Sequence, residues 1–430
     1  MAEVSGRRPL RPFPALDPEP PRRLTWRSLR WAAVTCLAAA AVAVAFLIWP
    51  SSSQSASRLA RAPFADRDGL VVFEQQPSGM LGTAAPDGSH LVTLRQVGAL
   101  QGTDLPVAAD DGRYLVNLEG QLVTMGPAGP TSVSDLGANA GLGATDQGAS
   151  YGWADASFAD GSRYVVATTC QLASATSQSW VADLILAAGG KGHMLGTVTD
   201  AVGDPGSAAA IVSVPVSASA ASSAFQCFST DIPPDRAVEL RVPRHGNRTL
   251  VTAATLKATL GWPSAMPIQL SVDPGPGGSR LALRVQEDTP PGTQVPRLAV
   301  VVISRAGRIL AHMPLPAATS IMQWSPDGQR IAFCRASPGT PSRVTVWSLG
   351  RGSRTIVLPG RHDVGCNKVL WSPDGSQLIY AAWATYRGLT QADKLQHGWT
   401  VIDLRSGRVH DVTAPGQPAA WLPGPAEESR

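Results

Sequence analysis

One five-residue phrase occurs twice in this chain, as Trp324-Ser325-Pro326-Asp327-Gly328 and as Trp371-Ser372-Pro373-Asp374-Gly375, 47 residues apart. Each copy is followed by a short apolar run, Ile331-Ala332-Phe333-Cys334 and Leu378-Ile379-Tyr380-Ala381. A turn that returns at this interval constrains the fold strongly. Roughly 40–50 residues make one four-stranded blade, and a series of such units closes into a β-propeller. The phrase suits its place. Proline presets φ for the second position of a type I turn, Asp suits the third, and Gly takes the positive φ that lets the next strand resume with the right twist. Trp324 and Trp371 end the strands that enter these turns, and their rings are large enough to fill the space between neighbouring blades.

The pattern W-S-P-D-G-x-x-[IL]-x-[FY], with Trp324, Pro326, Asp327, Gly328, Trp371, Pro373, Asp374 and Gly375 as its repeat-turn residues, resembles the TolB-type, WD-repeat-like propeller repeats. It also occurs in the propellers of prolyl-oligopeptidase-type enzymes. The TolB resemblance implies a scaffold that binds its partner with loops at one end of the ring.

Weaker copies extend the series. Asp68-Gly69, Asp111-Gly112, Asp160-Gly161, Asp204-Pro205-Gly206 and Gly277-Gly278 each precede an apolar run. With the two full copies they predict about seven blades, with six or eight as alternatives. Pro86-Asp87-Gly88 follows Asp68 by only 19 residues and reads as a second hairpin of the same blade. The interval from Asp204 to Gly277 is too long for one blade. It holds either a long insertion or a degenerate blade around Val238–Thr252, and the region 217–250 reads as the most variable loop. Ala420-Trp421-Leu422-Pro423-Gly424 has the front half of the phrase but no strand after it, whereas Asp68-Gly69 has the strand without the Trp. Joining these halves would close the ring and remove its free edges. Frequent Gly (42) and Pro (36), with short Val, Ile, Leu and Thr runs between them, agree with an all-β chain.

The expected layout is a disordered cytoplasmic tail (1–30), one transmembrane helix (31–49), a linker (50–62) and a single extracytoplasmic propeller (63–425). Trp31 to Trp49 is 19 residues without a charge, long enough as a helix to cross a hydrocarbon core of ~30 Å. Seven Arg in the preceding 30 residues, against three acids, place the N-terminus in the cytoplasm. Cleavage as a signal peptide is the alternative; the long leader and Pro63 after Ala60-Arg61-Ala62 speak against it. The chain beyond the tail carries 29 basic and 29 acidic groups, so its basic pI belongs to the tail and points to no nucleic-acid partner.

Outside residues 31–49 there are four cysteines. In an oxidising compartment they allow two disulfides. Cys334 and Cys366 fall in adjacent blades and make one candidate pair. Cys170 and Cys227 then make the other, with four buried thiols as the alternative. No metal-ligand spacing, P-loop, dinucleotide fingerprint or nucleophile elbow occurs, so no catalytic residue, metal or cofactor is assigned. The sequence therefore points to a non-enzymatic binding or scaffold module for a protein or cell-envelope component, held at the membrane. Two other readings stay open. One is a lyase or hydrolase acting on an envelope sugar or peptide in the central channel, and the other is a transducer of outside binding to the tail.

Overall fold

The computed structural model describes residues 71–421, apart from 76–79, 97–106, 109–113, 119–120, 127–128, 136–152, 175–176, 188–191, 217–233, 290–294, 317–318, 338–339, 359–364, 384–397 and 415. The chain divides into two compact units, Met1–Ser55 and Ala56–Arg430, and every described residue belongs to the second. The expected tail, transmembrane helix and linker lie outside the described residues. Among those described, no helix is long and apolar enough to cross a membrane.

The strands form seven four-stranded antiparallel sheets, the blades of a β-propeller. Blade one holds β1 (Val71–Gln75), β2 (Met80–Ala84) and β3 (Val92–Gln96). Blade two is β4 (Val107–Ala108), β5 (Tyr114–Leu118), β6 (Gln121–Gly126) and β7 (Gly129–Asp135). Blade three is β8 (Trp153–Ala159), β9 (Tyr164–Ser174), β10 (Ser177–Leu186) and β11 (His193–Thr197). Blade four is β12 (Asp200–Gly203), β13 (Ala210–Pro215), β14 (Asp235–Val242) and β15 (Gly246–Thr252), and a helix, α1 (Ala253–Leu260), follows it. Blade five is β16 (Ile268–Pro274), β17 (Arg280–Glu287), β18 (Leu298–Ser304) and β19 (Ile309–Leu315). Blade six is β20 (Thr319–Trp324), β21 (Arg330–Ser337), β22 (Thr340–Ser348) and β23 (Gly352–Val357). Blade seven is β24 (Gly365–Trp371), β25 (Gln377–Trp383), β26 (Trp399–Asp403) and β27 (Val409–Val412).

The last strand, β28 (Gln417–Trp421), is the inner strand of blade one. It runs antiparallel to β1, with Val71 opposite Trp421 and Glu74 opposite Gln417. The two halves of the repeat are thus joined across the chain ends. Five of the seven expected starts, at Asp160, Asp204, Gly277, Asp327 and Asp374, fall at the junction of the first and second strands of a blade, those at Asp68 and Asp111 lie outside the described residues, and Pro86-Asp87-Gly88 turns β2 into β3. The long interval after Asp204 is an enlarged blade four rather than an extra blade. Val238–Thr252 supplies its third and fourth strands, and the added length is the connection 216–234 and the helix. The expected variable loop at 217–250 is therefore regular strand over its second half. Helix α1 is eight residues with one polar cap at each end, Thr252 accepting the Thr255 amide and Gly261 at φ 65°.

Stability resides between the blades. Each apolar cluster is built from the facing sides of two neighbours, as where Leu281, Leu283 and Val285 of blade five meet Ile211, Val238 and Leu250 of blade four. Among the described residues strand alternation gives blades four to seven two apolar faces, each covered by a neighbouring blade. The repeat tryptophans join these layers. Trp324 donates its indole N–H to the Asp273 carbonyl (3.0 Å), and Trp371 donates to that of Gln323 (3.0 Å), in each case on the inner strand of the preceding blade. At the closure a different tryptophan, Trp399 on the third strand of blade seven, donates to the Pro86 carbonyl in the β2–β3 turn of blade one (2.9 Å), with its ring against Phe73 (centroids 6.2 Å apart).

The two ends of the ring differ. Connections from first to second and from third to fourth strands leave one end, and none is longer than the seven residues 85–91. The other end carries every long connection: 97–106, 136–152, 216–234, 253–267, 288–297 and 384–398.

Candidate functional site

The repeat-turn residues sit at the short-connection end and hold the first two strands of blades six and seven together. The Gly328 amide bonds the Ser325 carbonyl and the Gly375 amide that of Ser372, both at 2.8 Å. Both glycines have positive φ (62° and 69°), where a side chain would be strained. Pro326 and Pro373 occupy the second turn position, as Asp327 and Asp374 occupy the third. The serines contribute what the sequence reading had left unassigned. Ser325 donates to Asp327 (2.5 Å) and accepts the Arg330 amide (3.0 Å), and Ser372 does the same with Asp374 (2.6 Å) and Gln377 (2.9 Å). The Ser372 hydroxyl, helped by the Ser376 amide and hydroxyl, holds the Asp374 carboxyl below the usual range. These are fastening groups with their hydrogen-bonding capacity engaged.

Cys334, on β21, and Cys366, on β24, form a disulfide between blades six and seven, with Cα atoms 6.0 Å apart, inside the range such bonds require. The bond closes a loop of 32 residues, so its reduction is expected to cost about 3–4 kcal/mol. Urea melts with and without reductant would show it, and coincident curves would refute it. Cys170 lies in β9 opposite Trp180, and Cys227 is outside the described residues, so that pairing lies outside them too.

The chemistry absent from linear motifs gathers where β12 and the start of β14 in blade four meet β16, the inner strand of blade five. Asp235 accepts the Thr199 hydroxyl and the Leu270 amide, the latter at 2.6 Å. Asp200 accepts the Val272 amide (2.8 Å). Both acids of blade four thus receive N–H groups from β16 of blade five. Asp288 accepts the Gln269 side-chain amide (3.3 Å). Asp273 is half-buried as a residue, but its Oδ2 is closed off from solvent and has no hydrogen-bond partner. Burial pushes the Asp235 carboxyl up to about 8, against its two hydrogen bonds and with Asp200 and Asp288 adding repulsion. Burial, with Asp200 beside it, pushes Asp273 up to about 8 as well.

Both acids keep, when folded, a proton that the unfolded chain releases from about pH 4 upward. Their contribution to stability is complete below that pH and is lost as pH rises through about 8. Asp273→Asn, which removes one such titration, is expected to flatten the fall in melting temperature between about pH 5 and pH 8.5. A decline parallel to that of the unaltered protein would show that Asp273 ionises normally. Among the described residues no group of three or more His, Cys, Asp or Glu side chains is placed to hold a metal ion.

Two arginines are half-buried on the second strands of blades five and six. Arg284, on β17, and Arg335, on β21, each have an Nε that is buried without a partner. Arg284 donates through Nη2 to Gln286 (3.0 Å). Arg284 and Arg335 belong to no motif, because they come from different strands.

No protein-family model matches the chain, and no curated protein does. Several solved structures are similar in outline. Hydrazine synthase of Kuenenia stuttgartiensis matches at 14% identity over 71% of this chain and 80% of its own, with a TM-score of 0.41. TolB from Acinetobacter baumannii matches at 10% identity over 84% and 67%, with a TM-score of 0.40. The dihydro-heme d1 dehydrogenase NirN matches at 10% identity over 84% and 77%, with a TM-score of 0.47. At these values no ligand and no reaction carries over to this chain, and the propeller fold rests on its own strand pairing.

Proposed function

We propose that this chain is a membrane-anchored, extracytoplasmic propeller acting as a non-enzymatic binding module for a protein or cell-envelope component. It would engage that partner with the end of the ring that carries the long connections. The observation that supports this most is the contrast between the two ends. Seven residues suffice for the longest connection at one end, while six longer ones leave the other. Length beyond what a turn needs is retained where loops carry recognition. Val216 and Val295, which border two of these connections, are 56% and 70% exposed. The sequence resemblance to TolB-type repeats supports a scaffold role, and the apolar run Trp31–Trp49 with its Arg-rich leader supports the anchor.

The test is crosslinking in cells with the tagged full-length protein, followed by mass spectrometry. A variant with 217–233 replaced by a short turn is run beside it. An envelope partner captured by the first and lost from the second is expected. Capture that is unchanged in the variant, or no reproducible partner, counts against this face. Thiol labelling of Ser52→Cys and Ser5→Cys in intact cells with an impermeant reagent checks the topology, and only the first should react.

A second reading, a lyase or hydrolase acting in the central channel, is favoured by one observation: two carboxyls, Asp235 and Asp273, whose burial pushes them up to about 8, so that they could act as general acids near neutral pH. Turnover of an envelope glycan or peptide that is abolished in Asp235→Asn would favour it.

A further inference from the structure

We infer that the short-connection end of blades four to seven is a basic rim that docks on an anionic lipid surface, with the arginines of its outer hairpins on the phosphate headgroups. This deepens the anchored reading above and rests on it for the presence of a bilayer beside the protein.

The rim is a repeat of its own. The hairpin between the third and fourth strands reads Arg244-His245-Gly246-Asn247-Arg248 in blade four and Arg305-Ala306-Gly307-Arg308 in blade five. It reads Arg351-Gly352-Ser353-Arg354 in blade six and Arg405-Ser406-Gly407-Arg408 in blade seven. Gly246, Gly307, Gly352 and Gly407 all have positive φ, which meets the need of a tight hairpin. The backbone makes no such demand for arginine. Two arginines per hairpin in four successive blades are therefore a property of the surface.

Contacts between blades make the arc continuous. Arg248 donates to the Arg305 carbonyl of the next blade (2.9 Å), and Arg354 donates to that of Leu404 (2.7 Å). Between these, Arg280 of blade five donates to the Gly328 carbonyl of blade six (3.0 Å). Arg305 is engaged by buried Asp204 and by Ser207. Arg244, Arg308, Arg351, Arg405 and Arg408 are exposed, and among the described residues none of the five makes a side-chain hydrogen bond or an ion pair.

The acids of this end already have partners. All eight connections that leave it in blades four to seven are described, and they contain three acids, Asp204, Asp327 and Asp374. Asp204 meets Arg305, Asp327 meets Arg330 (3.0 Å), and Asp374 accepts the Ser372 and Ser376 hydroxyls. Asp403, at the end of β26, accepts the Ser406 amide and hydroxyl and feels the charge of Arg405. Against these four stand the eight hairpin arginines, with Arg280 and Arg330 beside them.

The arrangement suits a lipid surface. The charges are spread along a rim over four blades, as a field of headgroups requires, and the Arg fork matches phosphate. Exposed apolar side chains lie at the same end: Leu310 next to the blade five hairpin, Met194 and Leu186 in blade three, and Leu91 in blade one. Apolar tips among arginines fit the interfacial layer of a bilayer. The chain also enters the ring here, because β1 starts at this end with Val71 opposite Trp421. Between Trp49 and Val71 lie 21 residues, which reach about 70 Å when extended. A tether of that length leaves either end free to meet the bilayer, and the arginines select this one. The long connections then point away from the membrane.

The experiment is phenylglyoxal modification of the full-length protein in nanodiscs of phosphatidylcholine, with and without phosphatidylglycerol, each arginine being followed by mass spectrometry. In the anionic discs Arg308, Arg351, Arg405 and Arg408 should react about fivefold or more slowly, and about 0.5 M salt should restore their rates. Arg236 and Arg297, exposed at the long-connection end, should react alike in both. Equal rim rates in the two lipids, or protection of Arg236 and Arg297 instead, overturn the inference. Protection by added poly-glutamate in neutral discs, with none in anionic discs, would assign the rim to an acidic protein and overturn it too. Combining Arg308→Gln, Arg351→Gln, Arg405→Gln and Arg408→Gln should abolish the lipid protection of Arg244; if that variant does not fold, the rates in the unaltered protein decide. A chain that does not insert into discs refutes the anchor alone. The rim is then tested by the same rates, with phosphatidylglycerol vesicles added to the free chain.

Discussion

Ending the chain at Gly416 removes β28, and the protein is expected to lose its cooperative melt or fail to accumulate as a folded monomer. The strand brings Pro418, Ala420 and Trp421 into the core and covers Val71 and Phe73 of β1. A buried tryptophan alone contributes about 3–5 kcal/mol, and the backbone bonds of the β1 edge are lost with it. Folded domains have only about 5–15 kcal/mol in all. A chain ending at Gly424, which keeps β28, should melt like the full-length protein. Circular dichroism melts of the two truncations decide the matter. A sharp, unshifted transition for the shorter chain would mean that the ring does not depend on this strand.

Trp371→Ala has the next largest expected effect. The side chain is buried between blades six and seven, donates to the Gln323 carbonyl, and lies beneath the Arg330 guanidinium, 4.7 Å from the ring centroid. Truncation leaves a cavity and an unanswered carbonyl, at a cost of about 3–5 kcal/mol. Trp371→Phe keeps most of the apolar surface and gives up the N–H, so its cost should be smaller, about 1–2 kcal/mol. Urea midpoints for the pair separate filling from hydrogen bonding. A cost below about 1 kcal/mol for the alanine variant would contradict the assigned role of the ring.

The blade series was legible because a tight turn writes its needs into adjacent residues. Pro326, Asp327 and Gly328 each meet a local backbone requirement, and even worn copies such as Asp160-Gly161 keep the part that matters. Helix α1 was not legible, since eight residues with modest amphipathicity leave little periodic signal. Blade four was ambiguous for a related reason: connection length is free to vary when no turn geometry restricts it. The polar sets were invisible. Asp200, Asp235 and Asp273 come from three strands of two blades, so only register and alternation bring them together. The link that Trp399 makes to the Pro86 carbonyl spans 313 residues and has no sequence signal at all.

That long-range closure also sets an order of events during synthesis. The inner edge of β1 is made well before its partner, which begins at Gln417. Until β28 emerges, a growing chain holds blade one unfinished, with a strand edge open to pairing with other chains. The circle can be completed only after the six blades between these two strands have been made, so β28 acts as the latch on them.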